Sequence, residues 1–454
     1  MNRKVIFSLL VIAVMLAATV PALAASDKTM IEVNVVLNTQ VTDGIIADLG
    51  THGNIKDIMV EINALTMQVR LGELETIQAL PYVAAANPDA ERKGAPIDTV
   101  AVSDFSPGLS TWNLDAINVT DFGFNNRTVP YDGDGVYVAV LDTGLVDSWR
   151  QVFPEERIAT EYAKSFAGSG SDSGSVSEQP NKWESDQDSH GTHVTSTIIG
   201  FSLSGTPVNG VAPLATIIPV KVLNQNGSGW SSAIAAGIMY VADLKMGPLA
   251  DSPVVINMSL GGPGLDALEK AAIDYAIDAG VIIVASAGNE GEAGMGYPGA
   301  YAPVISVAAS GWVGEWTAAS WWYSLDVSEK TKDKEFYITD FSSRALAGQD
   351  LDVAAPGSWV VGPYMVNSGQ VSYYYLGGTS MASPHVAGVV ALMAQKNPDL
   401  TAGEAESILE STAITIKPGC RNVVDPTYGI LEYCWGPDAT GAGLVDASKA
   451  LKGR

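Results

Sequence analysis

Five short runs of almost unbroken apolar residues constrain this chain more than anything else in it: 136–141, 217–222, 254–258, 281–285 and 304–308. A strand with one wet face alternates apolar and polar side chains, so a run without alternation belongs to a strand buried on both faces. Helical stretches, Ser231 to Leu244 and Leu265 to Ala279, lie between several of the runs. Strands alternating with helices predict an α/β fold with a mainly parallel central sheet and helices on both sides. In such sheets binding and catalytic groups collect at the carboxyl ends of the strands. Asp142-Thr143-Gly144 directly follows the first run, and Asn289 follows the fourth through Ala287-Gly288.

A second stretch, Gly377-Gly378-Thr379-Ser380-Met381-Ala382-Ser383-Pro384-His385-Val386-Ala387-Gly388, reads as a sharp turn running into a helix. Met381, Val386, Val389, Val390 and Met393 recur at helical spacing. Ser380 therefore falls at a helix N-terminus, where unpaired N–H groups and the helix dipole favour developing negative charge. A helix cap alone would explain a Gly-Thr-Ser, so a nucleophile here needs a base and an orienting acid elsewhere. The chain has four histidines, His52, His190, His193 and His385, and two of them sit in Asp188-Ser189-His190-Gly191-Thr192-His193-Val194. Histidines three apart could also hold zinc, but the metalloprotease pattern spaces them by four with a Glu between. Asp-Thr-Gly also occurs in aspartic proteases, which need two such carboxylates. The chain has no second Asp-Thr-Gly or Asp-Ser-Gly. One histidine acting as base is the preferred reading.

Asp142-Thr143-Gly144, His190-Gly191-Thr192-His193-Val194 and Gly378 to Gly388 stand in the Asp, His, Ser order of subtilisins, which the chain resembles over roughly 105–449. The resemblance implies a subtilisin-like three-layer fold and a serine endopeptidase acting on proteins or peptides, with no cofactor for the chemistry. It makes Ser380 the nucleophile, His190 the general base and Asp142 its orienting acid. It makes Asn289 a donor to the oxyanion, and His193 and His385 structural. Ser259, Leu260 and Gly261 match the segment that pairs with a bound peptide as an added strand. Ala287, Gly288 and Gly296 match the walls of the pocket for the residue before the cut. Their small size implies broad specificity. A neutral His190 implies activity greatest at neutral to alkaline pH. The alternatives are an inactive, peptide-binding relative, and a sedolisin-type acid peptidase. The second would carry Glu at position 190 and Asp at position 289.

The amino end adds a processing history. Residues 1–25 read as a signal peptide: Arg3 and Lys4, an apolar run from Val5 to Val20, then Ala22-Leu23-Ala24 as a cleavage site. The competing reading, a membrane anchor, lacks that last feature, and no later stretch is long and apolar enough to span a bilayer. Residues 26–100 follow, and within them 30–88 read as a small β-α-β-β-α-β unit of the ferredoxin-like kind. Its position and the resemblance make it an inhibitory propeptide, ahead of a catalytic domain at 101–454. The polar stretch from Glu91-Arg92-Lys93-Gly94 reads as an exposed linker. A secreted monomer is the expected product.

Fifty acidic against 25 basic residues give a formal charge of −25, which offers no basic stripe for nucleic acid. Cys420 and Cys434 are the only cysteines, and in an exported chain they predict a disulfide, worth about 3 kcal/mol in the chain-entropy model. Departures from the family pattern are few. The stretch between Asp142 and His190 is long and includes Gly168 to Ser177, a Gly/Ser surface loop, then Glu184, Asp186 and Asp188, which alternate like calcium ligands. Phe201 to Asn209 lacks the acids and amides of the usual family calcium loop. An insertion at 311–340 carries Trp312, Trp316, Trp321, Trp322 and Tyr323, expected to pack as a local core.

Overall fold

The computed structural model describes residues 28–102, 112–121, 126–167, 176–203, 205–316, 327–328, 332–364 and 372–452. The signal-peptide reading, most of the Gly/Ser loop, Trp321, Trp322 and Tyr323 lie outside them. Contacts divide the chain into two compact units, 1–88 and 89–454.

In the first unit, strands Met30–Leu37, Gly53–Met59, Ala64–Arg70 and Val83–Pro88 form one antiparallel sheet in the order second, third, first, fourth. Helices Asp43–His52 and Leu74–Gln78 complete the expected ferredoxin-like pattern. Thr42 caps the first helix, accepting from Ile45 N–H. Val33, Val35, Leu65, Met67 and Val69 alternate onto one side of the sheet and share a core with Leu49 and Ile77. The second strand stops at Met59 because a short 3₁₀ turn, Val60–Ile62, follows it and Asn63 then turns left-handed (φ 51°).

The second unit is built on the predicted sheet. Its strands run Phe336–Ile338, Ile305–Trp312, Ile282–Ser286, Val254–Met258, Tyr137–Asp142, Thr216–Lys221 and Lys164–Ser165, with Val353–Pro356 also pairing to Ile305–Trp312. Only Phe336–Ile338 runs antiparallel. All five apolar runs lie in this sheet, buried as their lack of alternation requires. Two helix pairs pack on it: His190–Ile199 with Thr379–Lys396, and Ser231–Met246 with Ala267–Asp278. The helix Thr379–Lys396 is buried over 379–394, which explains why its apolar residues surround it rather than forming one stripe.

Trp312 and Trp316 are packing residues, as expected. Trp312 stacks on Trp112, and Trp316 stands edge-on to Trp359 and Tyr375. Cys420 and Cys434 face each other across the hairpin Gly419–Asp425/Gly429–Trp435 and are disulfide-bonded. Among the described residues, no helix is long and apolar enough to cross a membrane.

Candidate active site

Asp142 is the last residue of its strand and His190 the first of its helix, and both are fully buried. His190 Nδ1 meets the two oxygens of Asp142 at 2.8 and 3.0 Å. A neutral imidazole that donates from Nδ1 keeps Nε2 as its acceptor. That Nε2 is buried and has no hydrogen-bond partner. The loop and the helix are tied by backbone donors: Gly191 N–H to Thr143 Oγ1 at 2.8 Å and Val146 N–H to Thr192 Oγ1 at 3.0 Å. The buried Lys221 holds the same loop, donating from Nζ to the Thr143 carbonyl at 2.5 Å.

Burial opposes a charged His190, but the charge and hydrogen bond of Asp142, then Asp188 and Asp186, outweigh it. The pKa of His190 therefore lies above the ordinary imidazole value. The other two histidines of the unit go the opposite way. Burial, then the nearby His190, takes His193 down to about 3. Burial takes His385 down to about 4, with Nδ1 on the Met381 carbonyl at 2.8 Å and Nε2 against Asn113 Nδ2 at 2.7 Å. Both are uncharged packing groups.

Ser380 is the second residue of the helix Thr379–Lys396, so its N–H has no partner within the helix. Its carbonyl also lacks the usual helical donor, because position 384 is proline and has no N–H. Ser259 fills that gap, donating from Oγ to the Ser380 carbonyl at 2.8 Å. The Ser259 carbonyl in turn accepts the Ser380 hydroxyl at 3.2 Å. Asn257 holds both sides of this turn: its Nδ2 donates to Ser259 Oγ at 3.1 Å, and its Oδ1 accepts the Ser383 hydroxyl at 2.8 Å. The sequence reading passed over Asn257 and Lys221. Each was signalled by a polar residue inside or closing an apolar run.

Asn289 points its Oδ1 at Thr379, accepting the backbone N–H and the hydroxyl at 2.9 Å each. Two donors on one atom identify it as the oxygen, which leaves the Nδ2 hydrogens for a ligand at the start of the same helix. Ala287 and Gly296 are joined by a bond from Gly296 N–H to the Ala287 carbonyl at 2.9 Å. Gly262 pairs with Tyr297 next to them. Ala287, Gly288 and Gly296 thus come together beside the segment of Ser259, Leu260 and Gly261.

The stretch from Glu91 is not an exposed linker. Glu91–Lys93 is a strand, antiparallel to Ser228–Trp230 on one side, and Lys93 bridges Gly261 on the other. Asp89 anchors its start at the N-terminus of the helix Ser231–Met246, accepting Ser232 N–H at 3.0 Å and the hydroxyls of Ser231 and Ser232. Gly94 N–H then donates to the Gly227 carbonyl, and Ile97 N–H to the Gly377 carbonyl. Gly94 passes so close that a Cβ there would lie 2.7 Å from the Ser259 carbonyl and 3.3 Å from His190 Cε1. The segment reads as polar and is covered all the same, because two glycine-rich edges pair with its backbone.

Glu184, Asp186 and Asp188 are not gathered at one point in this structure, and each carboxylate has partners of its own. Glu184 accepts from Trp149 Nε1 and Arg150 Nη1, both at 3.3 Å. Asp186 accepts the N–H groups of Asp188 and Ser189 and the Thr192 hydroxyl, and burial pushes it up to about 7. Asp188 accepts His190 N–H at 3.3 Å. Alternating acids on a loop share a face only if the loop curls around an ion, and this loop folds them onto three different partners.

Comparison with known proteins agrees with this geometry. The model of the subtilase family matches residues 133–442. Subtilisin DY of Bacillus licheniformis is 35% identical over 290 residues, covering 63% of this chain and 86% of that protein. A thermostable alkaline protease of Halalkalibacterium halodurans is 31% identical over 392 residues, covering 86% of this chain and 84% of the other. Among solved structures, sphericase superposes with a TM-score of 0.54 at 29% identity, over 75% of this chain and 98% of that one. Fervidolysin from Fervidobacterium pennivorans shares the fold, with a TM-score of 0.63 at 24% identity over 94% of this chain and 61% of its own.

Proposed function

The chain belongs to the subtilase family and is a serine endopeptidase, and from that premise we propose that it is an exported, self-processing zymogen in which Ser380, His190 and Asp142 carry the reaction. Ser380 Oγ attacks the carbonyl carbon of the scissile peptide while His190 Nε2 takes its proton. The same proton then goes to the leaving amine, and a water repeats the sequence on the acyl-enzyme. Asp142 keeps Nδ1 protonated and stabilises the imidazolium. The oxyanion is met by Ser380 N–H and Asn289 Nδ2. The observation that carries this reading is the pairing of His190 Nδ1 with both oxygens of Asp142, which leaves a buried Nε2 without a partner beside Gly94.

Residues 91–97 run through the site as a substrate would, added as a strand between Ser228–Trp230 and Gly261. In the proposed zymogen this is the bound end of the propeptide, and the first cut falls between Gly94 and Ile97. The small residues around Ala287, Gly288 and Gly296 support a broad choice of residue before the cut in protein substrates. The unmatched raised pKa of His190 means that activity rises with pH through a midpoint above the ordinary imidazole value.

The test is expression of the full chain and of Ser380→Ala, followed by intact mass and hydrolysis of unfolded casein. Wild type should lose its first 90–100 residues and hydrolyse casein. The variant should stay whole, with activity down about a millionfold, the scale established for subtilisin itself. A Ser380→Ala chain that matures at the wild-type rate would sink self-processing by this serine.

A further inference from the structure

Of the four residues 91–94, two point outward and two inward: Glu91 and Lys93 are exposed, Arg92 and Gly94 buried. Arg92 has no exposed surface at all. A fully buried arginine is rare unless paired, and its partner is Glu269, also without exposed surface. Arg92 Nη2 lies 2.6 Å from Glu269 Oε2, and Nε lies 3.2 Å from each carboxylate oxygen. Two further donors go to backbone carbonyls: Nη2 to Gly264 at 2.8 Å and Nη1 to Glu91 at 3.3 Å. The guanidinium is therefore held side-on by a carboxylate, in the forked geometry that arginine alone supplies. Gly262 forms the wall, where a Cβ would meet Arg92 Nη1 at 2.8 Å.

Glu269 does not belong to this position on helical grounds. It lies on the face of the helix Ala267–Asp278 that carries Ala272, Ile273 and Ala276, all buried. An apolar residue would continue that stripe into the sheet. The carboxylate instead sits with Asp266, whose Oδ1 caps the same helix by accepting the N–H groups of Leu268 and Glu269. If the segment from Asp89 to Gly94 leaves, Arg92 leaves with it, and the pocket keeps a buried carboxylate with no cation of its own among these contacts.

We propose that Glu269 is a specificity-determining residue, and that the pocket it floors selects an arginine side chain in the substrate two residues ahead of the one lying against His190. This rests on the peptidase reading above and adds to it: the residue at the cut is chosen loosely, while a cation further along the strand sets the register. Arg92 is then the chain's own copy of the preferred substrate residue. The excess of acidic over basic residues in the chain adds long-range attraction for such basic segments.

The test uses the enzyme matured from the full chain and peptides of the sequence 89–97, with Arg92 kept or replaced by Lys or Leu. Each peptide competes against hydrolysis of unfolded casein, which reads affinity whether or not the peptide is itself cut. Wild type should bind the Arg peptide about a hundredfold more tightly than the Leu peptide, since the latter leaves a buried carboxylate unpaired. The Lys peptide should fall between them. Glu269→Leu alone would strand Arg92 in the precursor, so it is made with Arg92→Leu, which restores a matched apolar pair. This double variant should prefer the Leu peptide. Equal competition by the Arg and Leu peptides on wild type overturns the proposal while leaving the peptidase reading intact, and so does an unchanged preference in the double variant. A wild-type chain that does not hydrolyse casein at all removes both.

Discussion

Two buried pairs lie along the stretch from Arg92 to Gly94, and they differ in where their halves come from. At one end Asp142 meets His190, both part of the framework around the sheet. At the other Glu269 meets Arg92, which rides on a strand paired only at its edges. Burial costs a charged group dearly, and in both places an ion partner offsets that cost. The first pair is permanent, so its geometry can hold one tautomer through a reaction. The second is exchangeable, so its carboxylate can choose among incoming cations. A permanent pair serves catalysis, and an exchangeable one serves recognition.

Breaking the permanent pair should have the larger effect. Asp142→Asn keeps the shape but leaves His190 Nδ1 without its anionic acceptor. A fall of about 10⁴ in kcat is expected, with the rising limb of the pH–rate profile moved to lower pH as the charge that raises His190 is lost. An unchanged pH limb would show that Asp142 does not set that pKa. Asn289→Ala should cost about 10²–10³ in kcat, the range measured for this donor in subtilisin, with little change in KM. Loss in KM alone would make Asn289 a substrate-binding residue instead.

The smallest effect sharpens the contrast between histidines. His385 has both nitrogens engaged with neutral groups and a pKa lowered to about 4. A base whose folded pKa lies below its unfolded value adds stability that is present above pH 6.5 and drains away as pH falls toward 4. Linkage over that window gives roughly 3 kcal/mol from this one ring. His385→Gln should therefore flatten the fall in Tm between pH 6.5 and 4, even if it lowers Tm at pH 7. An equally steep fall in the variant would assign the acid sensitivity elsewhere.

How much could be read from residues alone follows from the range of the interactions. The apolar runs identified the five strands because burial on both faces is a local demand on every residue of a strand. Ser380, His190, Asp142 and Asn289 were legible because each sits in a turn whose neighbours are themselves constrained. Ser259 was legible as a pairing segment, but its bond to the Ser380 carbonyl was not, since that depends both on proline at 384 and on a hydroxyl 121 positions ahead of Ser380 in the chain. The acidic trio shows the opposite case. Glu184, Asp186 and Asp188 satisfy a local pattern, while Arg150, Thr192 and His190 decide where each carboxylate goes.

By itself, then, the order of residues determined the parallel sheet, the ferredoxin-like first unit, the Cys420–Cys434 pair and the identity of the groups at the strand ends. All of these follow from periodicity or from short motifs, in which the determining neighbours are close along the chain. Only the tertiary structure decided that Arg92 is inside and Glu269 beneath it. The two are 177 positions apart, each reads as a surface charge on its own, and nothing short of the fold brings them within 2.6 Å.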